Sequence, residues 1–261
     1  GGYVSFPISI VSKLFNIPLN IYENNTILGR SNRILSYFSQ KILTAKEISN
    51  NFSERNKSKS FKVGSIINKN IINYIPKNEK YKNNFFSILV LGGSQGAEIF
   101  GNIIPPMIKK LKDKGIQVSI KQQCVKEQKS KIIDFYRKNN IKNYIFEFDE
   151  NIVDLISSSQ LAITRCGASA TAELTQIATP FIGVPLPNSI DDHQYLNAKY
   201  YENNGCCWVL EQKNFNTNNL FNLVMETVEN KNKLETASKN MKKISNNNVY
   251  SEIEKAIKDF I

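Results

Sequence analysis

Histidine occurs once in the 261 residues, at His193, so a serine- or cysteine-based triad would have to use that side chain. No Gly-x-Ser-x-Gly nucleophile elbow accompanies it. Cysteine occurs four times, at Cys124, Cys166, Cys206 and Cys207. They show no Cys-x-x-Cys spacing, so with a lone histidine they do not form a metal-ligand pattern, and they read as small buried thiols in a reducing compartment. Twelve Gly and eight Pro are too few for a collagen-like or linker-type chain, and 41% hydrophobic with 22% charged residues excludes a disordered one. The longest charge-free stretch, between Glu173 and Asp191, is broken by Pro180, Pro185 and Pro187 and does not read as a membrane span. A soluble or peripheral globular protein is expected. The chain opens on Gly1-Gly2 with neither an initiator Met nor a signal peptide. A glycine pair there reads as a strand-to-helix loop whose strand lies upstream, so an amino-terminally truncated first domain is expected.

What is present is an alternation of elements. Short apolar runs at 86–91, 118–120, 144–148, 161–164, 181–184 and 207–210 have strand length. Helical patterns lie between them at 99–111, 126–137, 152–158, 170–177 and 192–203, and from 214 to the end in two or three pieces. This is the signature of an α/β protein with a parallel sheet covered on both faces. Before residue 86 a shorter series repeats the theme, with helices near 8–15 and 31–39 and strands near 19–22, 42–44 and 61–63. Residues 67–84, rich in Asn and Lys around Pro76, read as the linker.

Net charge is +11, and residues 1–83 carry 13 basic against 4 acidic side chains. A basic first domain suits an anionic membrane surface, a pyrophosphate or a nucleic acid. A solvated Lys- and Asn-rich surface explains the same excess.

Three turns carry chemistry. The run 86–91 leads into Gly92-Gly93-Ser94-Gln95-Gly96-Ala97 and a helix, a geometry whose free N–H groups favour a phosphate, although a glycine turn also serves simply to reverse the chain. A dinucleotide site would need an acid at the end of the next strand, where Lys121, Gln122 and Gln123 stand, and a P-loop would need Gly-Lys-Ser/Thr where Ala97-Glu98 stand. The second turn is Arg165-Cys166-Gly167-Ala168-Ser169-Ala170-Thr171-Ala172-Glu173. There Glu173, inside the helix and leaning toward its start, is placed to accept from two vicinal ribose hydroxyls while phosphates sit on the turn; macrodipole stabilisation accounts equally for an early Glu. The third is Asp191-Asp192-His193-Gln194, where the aspartates can also be helix caps. Glu23 and Asn25, after the strand at 19–22, can bind sugar hydroxyls or serve only as turn residues.

Taken in order, GGYVSFP (1–7), YENN followed by Gly29-Arg30-Ser31-Asn32-Arg33, GGSQGA (92–97), CGASATAEL (166–174) and DDHQYLNA (191–198) resemble the MurG family. These are UDP-N-acetylglucosamine transferases that convert lipid I to lipid II in peptidoglycan synthesis. The resemblance implies a GT-B fold of two Rossmann-like doubly wound domains, the first incomplete here. Expected boundaries are 1–83 for the acceptor- and membrane-facing part with linker, 84–245 for the UDP-sugar domain, and 246–261 for a final helix returning to the first domain.

By matching position, the resemblance implies diphosphate contacts at Ser94 and at Ala168, Ser169 and Ala170, with Thr171 and Ala172 in the same substrate-binding block. Glu173 becomes the ribose carboxylate, and Asp149 a backbone contact to uracil. Gln194 and His193 would hold the N-acetylglucosamine ring, reached from the first domain by Asn25, with Gly1, Gly2 and Tyr3 on the acceptor side. No metal and no cofactor are implied. The implied partners are UDP-GlcNAc, lipid I and the cytoplasmic face of the membrane, without nucleic acid. The family's candidate histidine base belongs to a loop upstream of Gly1, so the catalytic base is unassigned; this chain is expected to bind donor without turning over. Two departures stand out: Tyr22 replaces a histidine, and Asn68 replaces an arginine that would help hold the nucleotide. The competing readings are a related GT-B transferase with another lipid acceptor, and a basic nucleic-acid-binding module supported by net charge alone.

Overall fold

The computed structural model describes residues 4–47, 52–75, 84–93 and 98–258. Strands β1 (Asn20–Glu23), β2 (Lys41–Thr44) and β3 (Ser60–Lys62) form a parallel three-stranded sheet in that order. Around it lie α1 (Ser5–Leu14), α2 (Arg30–Leu35) and α3 (Glu54–Ser58), the last capped by the Ser53 hydroxyl, which accepts from the Asn56 N–H. Its core is small: Ile21, Leu28, Leu35, Ile42 and Phe52.

The second sheet carries the larger core. Strands β4 (Phe86–Leu91), β5 (Val118–Gln123), β6 (Lys142–Phe146), β7 (Leu161–Thr164), β8 (Phe181–Gly183) and β9 (Cys207–Val209) are all parallel, in the order β6-β5-β4-β7-β8-β9. Side chains alternate across a strand, and β4 shows the consequence: Ile88 and Val90 enter one core, Leu89 and Leu91 the other. Burying each such side chain contributes roughly 1.5–3 kcal/mol, which makes this doubly covered sheet the stable platform of the chain. The covering helices are α5 (Glu98–Asp113), α6 (Lys126–Lys138), α7 (Ile152–Ser157), α8 (Ala168–Gln176), α9 (His193–Asn203), α10 (Thr217–Glu229) and α11 (Lys231–Ile244).

Two details differ from the sequence reading. Pairing of Gln123 with Phe146 ends β6 before residue 148, and Phe148 is left exposed. The front of the stretch read as linker is packed: helix α4 (Lys69–Ile72), capped by Asn68, buries Ile67 and Ile71 against Leu89, Leu91 and Ala172 of the second core. The polar composition of 67–84 hides these isoleucines.

Helix α12 (Val249–Ile257) follows and lies against the first sheet. The Tyr250 hydroxyl donates to Ile67 O at 2.9 Å, Lys41 Nζ donates to Ala256 O at 2.7 Å, and Asn246 Nδ2 donates to Val63 O at 3.1 Å. Among the described residues no helix is long and apolar enough to cross a membrane.

Candidate functional site

In the second sheet the strand order reverses at β4, with β5 on one side and β7 on the other, so the loops leaving β4 and β7 border a crevice at the carboxyl ends of the strands. Open parallel sheets bind ligands in that crevice. On the β4 side, Gly92 N–H donates to Gln123 Oε1 at 3.0 Å, and Gly93 adopts φ +82°, where a side chain would be strained. Ser94 lies outside the described residues. The positions a dinucleotide site would fill with an acid are occupied internally: Gln122 accepts from the buried Tyr136 hydroxyl at 2.6 Å, and Lys121 Nζ donates to Ser158 Oγ at 2.6 Å.

On the β7 side, Gly167 is the residue before α8, and the helix begins at Ala168, two residues earlier than its pattern suggests. Ala168, Ser169 and Ala170 therefore form the first helical turn, whose N–H groups have no intrahelical partner. Ser169 is exposed, and Ala168 and Ala170 are half-buried. Three convergent N–H groups on the positive end of a helix make an anion site. Thr171 is fully buried, its N–H donates to Gly167 O at 3.1 Å and its hydroxyl donates to Gly167 O at 2.9 Å, so both of its donors are engaged within the helix. Ala172 is likewise buried, in the core beside Leu174, and belongs to the helix body rather than the turn.

Glu173 sits on the same helix face as Ala170, three residues earlier. It is half-buried, no described residue pairs with its carboxylate, and burial pushes its pKa up. An unpaired, partly desolvated carboxylate beside a helix start is suited to accept hydrogen bonds from ligand hydroxyls.

Beneath the crevice is a group that the sequence reading quoted without assigning a role. Arg165 is buried and donates to Val184 O at 3.1 Å, Pro185 O at 3.3 Å and Gln212 Oε1 at 2.6 Å, with its guanidinium 5.1 Å from the Phe100 ring centre. No carboxylate among the described residues neutralises it. A fixed positive charge therefore lies between the two turns.

Asp149 follows β6 at the far end of the same edge. Its carboxylate accepts from the Tyr144 hydroxyl and the Asn151 N–H, each at 2.7 Å, so the side chain shapes the loop and leaves the backbone as what it can present. Gln194 Oε1 accepts from Cys166 N–H at 3.1 Å and from Leu186 N–H at 3.0 Å, tying the loop after β7 to the loop after β8. His193 opens α9 with Nε2 buried, 4.0 Å from Asp191 Oδ2. Asp191 and Asp192 both have left-handed backbones, and Asp191 reaches Arg30 Nε at 3.4 Å and an Arg33 nitrogen at 3.8 Å on the first domain.

The first domain contributes the opposite wall. Glu23 is buried and fully engaged: its carboxylate accepts from Asn25 N–H, Asn25 Nδ2, Gly29 N–H and Asn32 Nδ2 at 2.9–3.1 Å. That makes it a turn residue rather than a sugar ligand. Asn25, held this way, accepts from Asn197 Nδ2 at 3.0 Å across the domain boundary. A cavity of about 470 Å³ opens here, lined by Tyr22, Asn25, Gly29, Arg30, Ile190 and His193. Tyr22 donates from its hydroxyl to Gly64 O at 3.1 Å and accepts from Ile66 N–H at 2.9 Å. Gly1, Gly2 and Tyr3 lie outside the described residues.

Residues 87–255 match the glycosyltransferase family 28 C-terminal domain. The chain is similar to the UDP-N-acetylglucosamine--N-acetylmuramyl-(pentapeptide) pyrophosphoryl-undecaprenol N-acetylglucosamine transferase of Rickettsia prowazekii, 35% identical over 92% of this chain and 71% of the relative. The enzyme of the same name from Pelagibacter ubique is 32% identical over 97% and 70%. Among solved structures, Acinetobacter baumannii MurG superposes with a TM-score of 0.80 at 25% identity, covering 99% of this chain and 73% of that one.

The chain belongs to the MurG family. Its fold is GT-B, as the resemblance of the five motifs implied. Of the residues that the sequence resemblance points to, the structure brings Ala168, Ser169, Ala170 and Glu173 together on one helix, with Gln194 bracing their turn and Asn25 and His193 at the domain boundary. Asp149 stands apart on the edge strand's loop. Sequence reasoning assigned no role to Arg165, Asn197 or Lys46, the last a lysine buried where the domains meet. Arg165 and Asn197 lie inside quoted stretches, but only packing shows what they do.

Proposed function

We propose that the reaction this chain's site serves is transfer of N-acetylglucosamine from UDP-GlcNAc to the 4-hydroxyl of lipid I, forming lipid II, with the donor held by the residues described above. The observation that carries this reading is the first turn of α8, with three free N–H groups and the unpaired Glu173 on one helix face at the reversal point of the sheet. Diphosphate on the turn and ribose hydroxyls on Glu173 satisfy both at once. Gln194, His193 and Asn25 then border the space for the sugar, and the uracil end extends toward the backbone at Asp149.

In the transfer the acceptor oxygen attacks the anomeric carbon as its proton passes to a base, and the bond from that carbon to the β-phosphate oxygen breaks with its electron pair leaving on UDP. The configuration inverts. Negative charge grows on the diphosphate, where the helix-start N–H groups and the nearby guanidinium of Arg165 stabilise it. No described residue is assigned as the base.

The same reading places the protein at the inner face of the cell membrane as a peripheral protein. Val4, just before α1, and Ile8, Val11 and Leu14 on it are exposed, and the first domain holds most of the net positive charge. Apolar side chains with surrounding basic ones suit an anionic bilayer surface. The test is a transfer assay on the natural gene product with labelled UDP-GlcNAc and a short-chain lipid I analogue. Labelled disaccharide product is expected. Hydrolysis alone, or transfer from UDP-glucose at equal rate, would contradict the reading.

A further inference from the structure

Asn197 is almost fully buried in α9, and its amide makes four hydrogen bonds. Its Nδ2 donates to Asn25 Oδ1 at 3.0 Å and to Cys166 O at 3.3 Å, while its Oδ1 accepts from Thr26 N–H at 3.2 Å and from Lys46 Nζ at 3.4 Å. A side-chain amide has two donor hydrogens and two acceptor sites, so this one is saturated. Three of the four partners belong to the first domain. The fourth, Cys166, immediately precedes the Gly167 that begins the candidate diphosphate turn.

One helical turn earlier on the same face of α9, Gln194 holds the N–H of Cys166. Both backbone polar groups of Cys166 are thus clamped by α9, and the Asn197 clamp is shared with the first domain. A rotation of one domain against the other must break the Asn25, Thr26 and Lys46 contacts or pull on the Cys166 carbonyl.

Lys46, two residues past the end of β2, completes the contact. It is 2% exposed, with Nζ 4.8 Å from the Tyr201 ring centre and 5.6 Å from that of Tyr200. No carboxylate pairs with it among the described residues, since that of Glu23 is engaged by four N–H groups. The titratable and charged groups facing it are Glu23 from β1, the Cys166 thiol after β7, Tyr200 and Tyr201 from α9, and Lys62 from β3, which lines the same small cleft.

We propose that Asn197 and Lys46 are positioning residues that couple the two domains, holding Asn25 and the 166–168 turn at a fixed separation on either side of the donor sugar. This rests on the donor-site reading above. The coupling is also proton-sensitive. Burial lowers the Lys46 pKa to about 7, whereas an amine released to water by domain separation regains its ordinary value. The joined form therefore carries the full cost of a buried charge below about pH 7 and is progressively relieved as pH rises above it.

The test compares the chain with Asn197→Ala and Lys46→Met, each first shown by circular dichroism to be folded. The four native cysteines are buried, so cysteines introduced at exposed Lys57 and Arg137 can be spin-labelled to read the distance between the domains. Calorimetry with UDP and UDP-GlcNAc is run in parallel at low and high pH. For the unsubstituted chain a narrow main distance is expected beside a second, longer one, and the population at the longer distance shrinks as pH rises. Asn197→Ala should broaden the distribution and weaken UDP-GlcNAc about tenfold, with a several-fold smaller loss for UDP, because Gln194 still holds the Cys166 N–H of the turn while the Asn25 side of the sugar site is released. Lys46→Met should remove the pH dependence. Unchanged distances and unchanged pH dependence in both folded variants would overturn the coupling, as would equal losses for UDP and UDP-GlcNAc. Failure of the unsubstituted chain to bind either nucleotide would instead overturn the donor-site reading, and the ligand-free distances would still decide the coupling.

Discussion

Gln194 accepts the backbone N–H of Cys166 at 3.1 Å, and so a side chain expected at the sugar also braces the turn that would hold the diphosphate. Its oxygen is shared with Leu186 N–H. Gln194→Ala leaves both donors without this acceptor, and a lost acceptor for a buried N–H costs about 1–3 kcal/mol. The expected result is a stability loss of that order in urea, with weaker binding of UDP as well as UDP-GlcNAc. A role confined to the sugar would spare UDP, and calorimetry with both nucleotides separates the two.

Glu173 is expected to trade stability for binding. Burial raises its native pKa above the unfolded value, so the native state keeps its proton to higher pH than the unfolded chain does. The group therefore opposes folding increasingly as pH rises through the carboxylate range, and the penalty is absent in acid. Glu173→Gln should melt no lower than the unsubstituted chain at neutral pH, with the difference closing as pH falls. The same variant should lose about 10- to 100-fold in UDP-GlcNAc affinity, the loss expected for charge-assisted hydrogen bonds. Melting curves from about pH 4 to about pH 8, with calorimetry at neutral pH, check both.

Glu23→Ala should be the most damaging substitution in the first domain. It strands four neutral donors from Asn25, Gly29 and Asn32 in a largely buried site, and a buried donor left without its acceptor costs about 1–3 kcal/mol. Hydrogen exchange is expected to rise across residues 23–32 while the second sheet stays protected. Exchange unchanged in that loop would show that the carboxylate is not its organiser.

At Arg165 a lysine is not an equivalent. The guanidinium reaches three acceptors through one planar fork, whereas an ammonium is a point charge on a flexible stem. Arg165→Lys should cost about 2 kcal/mol and keep part of the UDP affinity, and Arg165→Met should lose more of it. Equal UDP binding by the two variants would mean that the buried charge plays no part in holding the diphosphate.

The second domain was the more legible part of the sequence. Phe86–Leu91 and Leu161–Thr164 stand where the apolar runs place them, because strands buried on both faces read as continuous hydrophobic stretches closed by glycine turns. Glu173 was legible for a related reason: its distance from Gly167 along one helix sets its place. Asn197 was not, since its partners Asn25, Thr26 and Lys46 lie 151–172 residues away and no local period points to them. Lys46 reads as a surface lysine until the second domain is seen to cover it. The packed isoleucines of α4 were hidden among Asn and Lys, and the earlier start of α8 reflects the ease with which Ala168 and Ser169 join a helix.

The most direct measurement is calorimetric titration of UDP-GlcNAc into the folded chain and into Glu173→Gln. Saturable one-site binding by the chain, weakened at least tenfold in the variant with its fold intact, is the expected result. At 100 times the dissociation constant the ligand should also add about 2.7 kcal/mol of stability. A folded chain that ignores UDP-GlcNAc, or a Glu173→Gln variant that binds it as tightly, would contradict the assignment of the first turn of α8 and Glu173 as the donor site.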